Sequence, residues 1–114
     1  MDENLLNRVR EALVDVSPIA EKRMFGGVCF MVDDKLCICV NSHEMLCRIN
    51  PDEFEAALEM DGVRPMEQRA RTAKGYVFVH EDVLGNKKDF DAWVNKALAY
   101  NKIAKASKKR SKLQ

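Results

Sequence analysis

The residues with the most chemical reach in this chain are four cysteines and two histidines. Cys37-x-Cys39 is followed by His43, and Cys29 and Cys47 lie in the flanking apolar runs. A structural zinc site would need four such groups converging from turns or knuckles. A cysteine nucleophile would need a neighbouring base and an environment that favours the thiolate. Only His43 and His80 could serve as that base, and no spacing ties either to a cysteine. The plain alternative is that the cysteines are small buried hydrophobes and the histidines solvated loop residues.

A second group is basic. Arg64, Arg69, Arg71 and Lys74 surround a single acid, Glu67. Guanidinium groups on one loop can hold phosphate or carboxylate, and a solvated loop is the alternative. Lys108, Lys109 and Arg110 sit in a Lys-rich C-terminal tail that could neutralise phosphates without reading sequence, or simply solubilise. Gly26-Gly27 lacks the spacing of a Walker or dinucleotide loop. A pair of glycines within a strand run reads as a bend or bulge.

These residues must be positioned by elements that the pattern lets us place. Leu5, Leu6, Val9, Ala12, Leu13 and Val16 recur at helical spacing, which predicts a helix over 3–16 ended by Ser17-Pro18. Residues 23–32, 35–40 and 45–49 read as three strands joined by turns at Asp33-Asp34 and Asn41–Glu44, an antiparallel meander. Asn50-Pro51-Asp52-Glu53 is a helix start with a capping box, and Gly62 is its stop. A polar loop is expected at 67–74, a strand at 75–79, and a final helix over 87–104 with Phe90, Trp93, Val94, Ala97 and Leu98 on its buried face.

Side chains alternate across strands, so the turns assign faces. A two-residue turn at 33–34 pairs 30 with 37, and a turn centred on 42–43 pairs 39 with 46. One face then carries Cys29, Met31, Leu36, Ile38, Val40, Met45, Cys47 and Ile49. The other carries Val28, Phe30, Val32, Lys35, Cys37, Cys39, Leu46 and Arg48. The first should lie under the helices. On the second, Val28, Phe30, Cys37, Cys39 and Leu46, rimmed by Arg48, are expected to form a partner or dimer face. This register separates Cys37 and Cys39 from Cys29 and Cys47, so four free thiols and no metal are expected.

Length and composition frame this. The chain has 114 residues, 46% of them hydrophobic, and a formal charge of +1. That suits one globular domain with its own core, expected at 1–106, with 107–114 a basic, disordered tail. Six of the nineteen basic residues fall after residue 101, where there is no acid, leaving the body at −5 and the tail at +6. No signal-like apolar stretch follows the acidic start and no run approaches the ~20 apolar residues of a membrane span. A cytoplasmic location, reduced cysteines and no membrane partner are expected.

Arg23-Met-Phe-Gly-Gly27, the hairpin from Phe30-Met-Val to Lys35-Leu36, Arg64-Pro65-Met66, Lys74-Gly-Tyr-Val-Phe-Val79 and Trp93-Val-x-x-Ala-Leu-Ala-Tyr100 occur in that order. Together, over residues 5–100, they resemble the TfoX/Sxy N-terminal domain family. The resemblance implies an α+β fold, an antiparallel meander with three helices in the order α-β-β-β-α-β-β-α, including a short strand near 63–67. It implies a bacterial source and no catalytic residues or cofactors. Members with a second domain regulate competence with the cyclic-AMP receptor protein, and this sequence stops at Gln114, short of such a domain.

The function expected from residues and resemblance together is a non-enzymatic binding module that contacts a protein such as a transcription regulator, or a second copy of itself. Direct nucleic-acid binding through 64–74 and the tail is the alternative, and a small thiol-dependent or accessory enzyme a third.

Overall fold

The computed structural model describes residues 3–24, 26–68 and 71–105. Helix α1 (Glu3–Ala12) leads into strands β1 (Ile19–Met24), β2 (Gly27–Val32), β3 (Lys35–Val40) and β4 (Glu44–Arg48). A 3-10 turn (Pro51–Glu53) and helix α2 (Phe54–Leu58) follow, then β5 (Val63–Gln68), β6 (Arg71–His80), α3 (Glu81–Leu84) and α4 (Lys87–Asn101). All six strands form one antiparallel sheet in the order β1-β2-β3-β4-β6-β5. The α+β class and the meander are as the sequence predicts.

Local chemistry sets the boundaries. Asp33 and Asp34 both have positive φ (54° and 63°), the conformation a two-residue hairpin turn demands and aspartate tolerates. Asn50 Oδ1 accepts a hydrogen bond from the Asp52 amide at 2.9 Å, as expected of a cap. Glu53 does not reach back to complete a capping box; its carboxylate accepts from Lys96 Nζ instead. Gly62 stops the helical segment with φ of 80°.

One face of the sheet carries every helix. Leu5, Leu6, Val9 and Leu13 from the N-terminal segment, Phe54 and Ala57 from α2, Leu84 from α3, and Phe90, Trp93, Val94 and Ala97 from α4 pack on Val28, Phe30, Val32, Ile38, Val40, Met45, Cys47, Ile49, Val77 and Val79. Burying these side chains at about 25 cal/mol per Å² of apolar area is the main force holding helices to sheet.

α3 is a fourth helix where three are expected, because His80 caps a single turn after β6. Besides this and the missing capping box, the structure departs from the sequence reading in three places. Residues 19–24 form a sixth strand where the sequence reading has loop and only the start of a strand. The strand is exposed almost throughout, so no apolar alternation marks it. The loop expected at 67–74 is instead the end of a β-hairpin, with β5 and β6 paired from Val63↔Val79 to Gln68↔Arg71.

The third departure inverts a face. The turn at 33–34 pairs Val32 with Lys35 and Met31 with Leu36 as expected, but Phe30 then pairs with Ile38, not with residue 37. Cys37 is the extra residue of a β-bulge, and both Cys37 and Ile38 join the helix-covered core. The turn after β3 behaves as expected, with Cys39↔Leu46. One inserted residue therefore reverses β2 relative to the sequence assignment. Val28, Phe30 and Cys37, expected on a partner face, lie in the main core, and Phe30 is only 1% exposed. Cys29, Met31 and Leu36 move to the other side.

Candidate binding face of the sheet

The side away from the helices has its own apolar cluster. Cys29, Leu36, Cys39, Leu46 and Met66 are its buried centre, and Met24, Met31, Ala73, Tyr76 and Phe78 lie half-buried around them. Every one of these residues is on a strand. No described helix residue belongs to it. Of the expected partner-face residues, Cys39 and Leu46 are found here, and Arg48 is half-buried at its margin.

The basic side chains at this margin are held by rings. The Arg48 guanidinium lies 5.5 Å from the Tyr76 ring centre and 5.6 Å from that of Tyr100 on α4. It makes no hydrogen bond or ion pair among the described residues, and its Nη1 is buried without a partner. Arg64 lies 4.3 Å from the Phe78 ring centre. A carboxylate answers it in bidentate fashion, Nε and Nη2 donating to Glu44 at 2.8 and 2.7 Å. That pair raises the pKa of Arg64 further, through the hydrogen bond to Glu44 above all. Lys22 stands opposite Cys29 in the β1–β2 ladder, so it projects to this same side, exposed and without an ion pair among the described residues.

The expected basic loop is thus dispersed. Arg64 is on β5, Lys74 is exposed on β6, Arg71 opens β6, and Arg69 lies outside the described residues. So do Lys108, Lys109 and Arg110 of the tail.

The cysteines pair differently from the expectation of four free thiols. Cys29 and Cys39 are direct cross-strand partners joined by a disulfide, while Cys37 and Cys47 are free and buried. The bulge is the reason: it puts Cys29 and Cys39 on one face and Cys37 and Cys47 on the other. Burial pushes the Cys37 thiol up to about 12, against a smaller opposing pull from the Arg48 charge. Burial raises Cys47 as well. A nucleophile needs the reverse shift. His43 Nδ1 is 3.2 Å from Glu81 Oε1, and His80 Nδ1 accepts from the Asp82 amide as the cap of α3. Among the described residues no group of His, Cys, Asp and Glu is arranged to hold a metal, and no helix is long and apolar enough to cross a membrane.

A cleft of about 780 Å³ lies between the α1–β1 connection, the β2–β3 turn and α4. Its deepest polar groups are already engaged with the chain. Lys35 Nζ donates to the Asn101 carbonyl at 2.7 Å, and Asn101 Nδ2 donates to the Val32 carbonyl at 3.2 Å.

Periodicity shows that a second apolar face exists but not which residues make it, because the bulge leaves no composition signal. Tyr76 and Phe78, two apart on one strand, are the residues that sequence reasoning missed. Their alternation with Val77 and Val79 is the signal that could have found them.

No curated protein and no solved structure matches the chain. The model of one family does: the TfoX N-terminal domain, over residues 11–100. That match covers most of the chain, from within α1 to within α4, and the family is not a known enzyme family. The chain belongs to the TfoX N-terminal domain family.

Proposed function

We propose that this domain is a non-enzymatic binding module whose helix-free sheet face contacts another protein, such as a transcription regulator, or a second copy of the chain. The single observation that carries the reading is the second apolar cluster, formed by strands alone and edged by half-buried Met24, Met31, Tyr76 and Phe78. A large apolar area with a polar margin is the usual make-up of a contact surface. The raised pKa values of Cys37 and Cys47 favour this reading over a thiol enzyme.

The test is Met31→Glu, which places a charge at the edge of the cluster, away from the main core. Wild type and variant are compared in sedimentation over a range of concentrations and in affinity capture from source-cell extract. Loss of a dimer, or of a captured protein, with an unchanged fold supports the reading. Identical behaviour of the two proteins overturns it.

Nucleic-acid binding is the second reading. The observation in its favour is that Arg48 and Arg64 lie against Tyr76 and Phe78, since bases stack on such rings. Its mark is an affinity that falls steeply with salt.

A further inference from the structure

The segment around α2 is acidic, whereas α4 and its C-cap beside it expose Lys87, Lys88, Lys96 and Lys102. The 3-10 turn, α2 and the turn after it expose Asp52, Glu53, Glu55, Glu59 and Asp61 with no basic residue in that segment, Glu53 being paired with Lys96 of α4. The strand-only face has Lys22, with Arg48 at its margin between Tyr76 and Tyr100 of α4, neither of them paired with an acid among the described residues. Arg64 is there too, but Glu44 already neutralises it.

Arg48 is the least satisfied of these groups. A guanidinium carries five donors, and Arg48 has only two aromatic rings beside it. A buried donor without an acceptor costs free energy; Nη1 itself is closed to solvent, so an incoming acceptor meets the partly exposed remainder of the side chain. Next to it the surface is apolar and rich in methionine, with Met24, Met31 and Met66 in one cluster. Methionine adapts its shape and is over-used where a surface must fit apolar side chains.

From these observations we infer that the occupant of this face is an acidic, amphipathic protein segment, whose apolar residues lie on the Met24–Met31–Met66 cluster while its carboxylates meet Arg48 and Lys22. The inference rests on the contact-face reading and gives its partner a chemistry. Charge complementarity argues for it, because such a segment is repelled by the acidic α2 side and attracted here. Nucleic acid fits less well. A phosphate backbone needs a track of free cations, and with Arg64 engaged by Glu44 only Lys22 and, at the margin, Arg48 remain on the described face.

The experiment is selection of binders from a displayed random-peptide library on the intact protein, followed by titration of the selected peptides. Sequences in which Asp and Glu alternate with Leu, Met or aromatic residues are expected. Arg48→Gln should weaken them about tenfold, as loss of a charged contact at an interface does. It should leave their Gln-for-Glu counterparts unaffected. If Arg48→Gln fails to fold, Lys22→Gln on the exposed edge strand takes its place, with a smaller loss expected.

Selected peptides that are apolar but uncharged, and that Met31→Glu abolishes, overturn the acidic inference while leaving the contact face standing. Peptides indifferent to Met31→Glu, or no selection at all, overturn both. Tight binding of a single-stranded oligonucleotide, lost in Arg48→Gln, overturns the inference in favour of nucleic acid.

Discussion

The two faces of one sheet differ in what covers them. Behind the helices, side chains from ten strand positions meet the N-terminal segment and three further helices, and nothing there needs a partner. On the other side the same strands rely on one another, and the outer residues remain half in water. Adjacent residues can therefore have opposite fates. Phe30 is a core residue, and its neighbour Met31 is a surface one. In this fold a fully covered side chain and a partly solvated one are separated by a single step along the chain.

The sharpest way to break that comparison is to truncate the neighbours. Phe30→Ala should cost about 3–5 kcal/mol, as loss of a fully buried aromatic does. Met31→Ala should cost less than about 1.5 kcal/mol, because part of its side chain is already solvated. Chemical denaturation reads both. Similar losses would mean that the second face is as much a core as the first.

A somewhat smaller effect is expected from Cys29→Ser. The disulfide to Cys39 closes a loop with a sequence separation of 10. In the chain-entropy account such a loop contributes about 2–3 kcal/mol. Adding reductant should destabilise the wild type by a similar amount and leave Cys29→Ser unchanged. Mass spectrometry after alkylation in denaturant should find two blocked cysteines in the unreduced wild type.

The helix-covered face has a pH signature of its own. The folded-state pKa of Cys37 is raised from 9.0 to about 12, so the folded state holds its proton where the unfolded chain releases it. Stability from this burial is complete below the ordinary thiol range and is lost as pH rises from about 9 towards about 12. Native Cys37 and Cys47 should resist iodoacetamide at neutral pH. Cys37→Ala should flatten the alkaline limb of a stability–pH curve. Rapid labelling of either thiol would show that this core opens.

The smallest effect concerns the exposed edge. Arg10 grips Glu21 of β1 through two hydrogen bonds of 2.8 and 2.7 Å, which hold the Glu21 carboxyl below its usual range. A lowered carboxylate pKa stabilises the fold above the unfolded value and loses that contribution as pH falls through the folded one. Both partners are well exposed, so Arg10→Ala should cost little. The loss should vanish in acid, as urea titrations at neutral and acidic pH would show.

Much of this was legible in the residues. The helices at both ends, the two turns of the meander and the Asn50 cap follow from periodicity and turn chemistry, because each is a local signal, while the family follows from the resemblance of an ordered set of motifs. The identity of the open face is not local. It depends on whether residue 37 is paired or bulged, and Leu-Cys-Ile-Cys-Val is apolar in either register. β1 escaped for the opposite reason: Glu21 and Lys22 look like a loop, and only backbone pairing with β2 makes them a strand. The disulfide followed the bulge, since the phase of β2 decides which cysteines face one another.

The bulge also bears on how chains of this kind are compared. Leu36 faces one side, Cys37 and Ile38 the other, and Cys39 the first again. Remove Cys37 and the remaining residues alternate without a fault, with Met31↔Leu36 and Phe30↔Ile38 both kept. A chain one residue shorter at this point would keep every other side chain on its present face, at the cost of one small void under the helices. A single-residue gap in the middle of this buried strand is therefore compatible with homology, and the frame of an alignment here is best set by the faces rather than by the count.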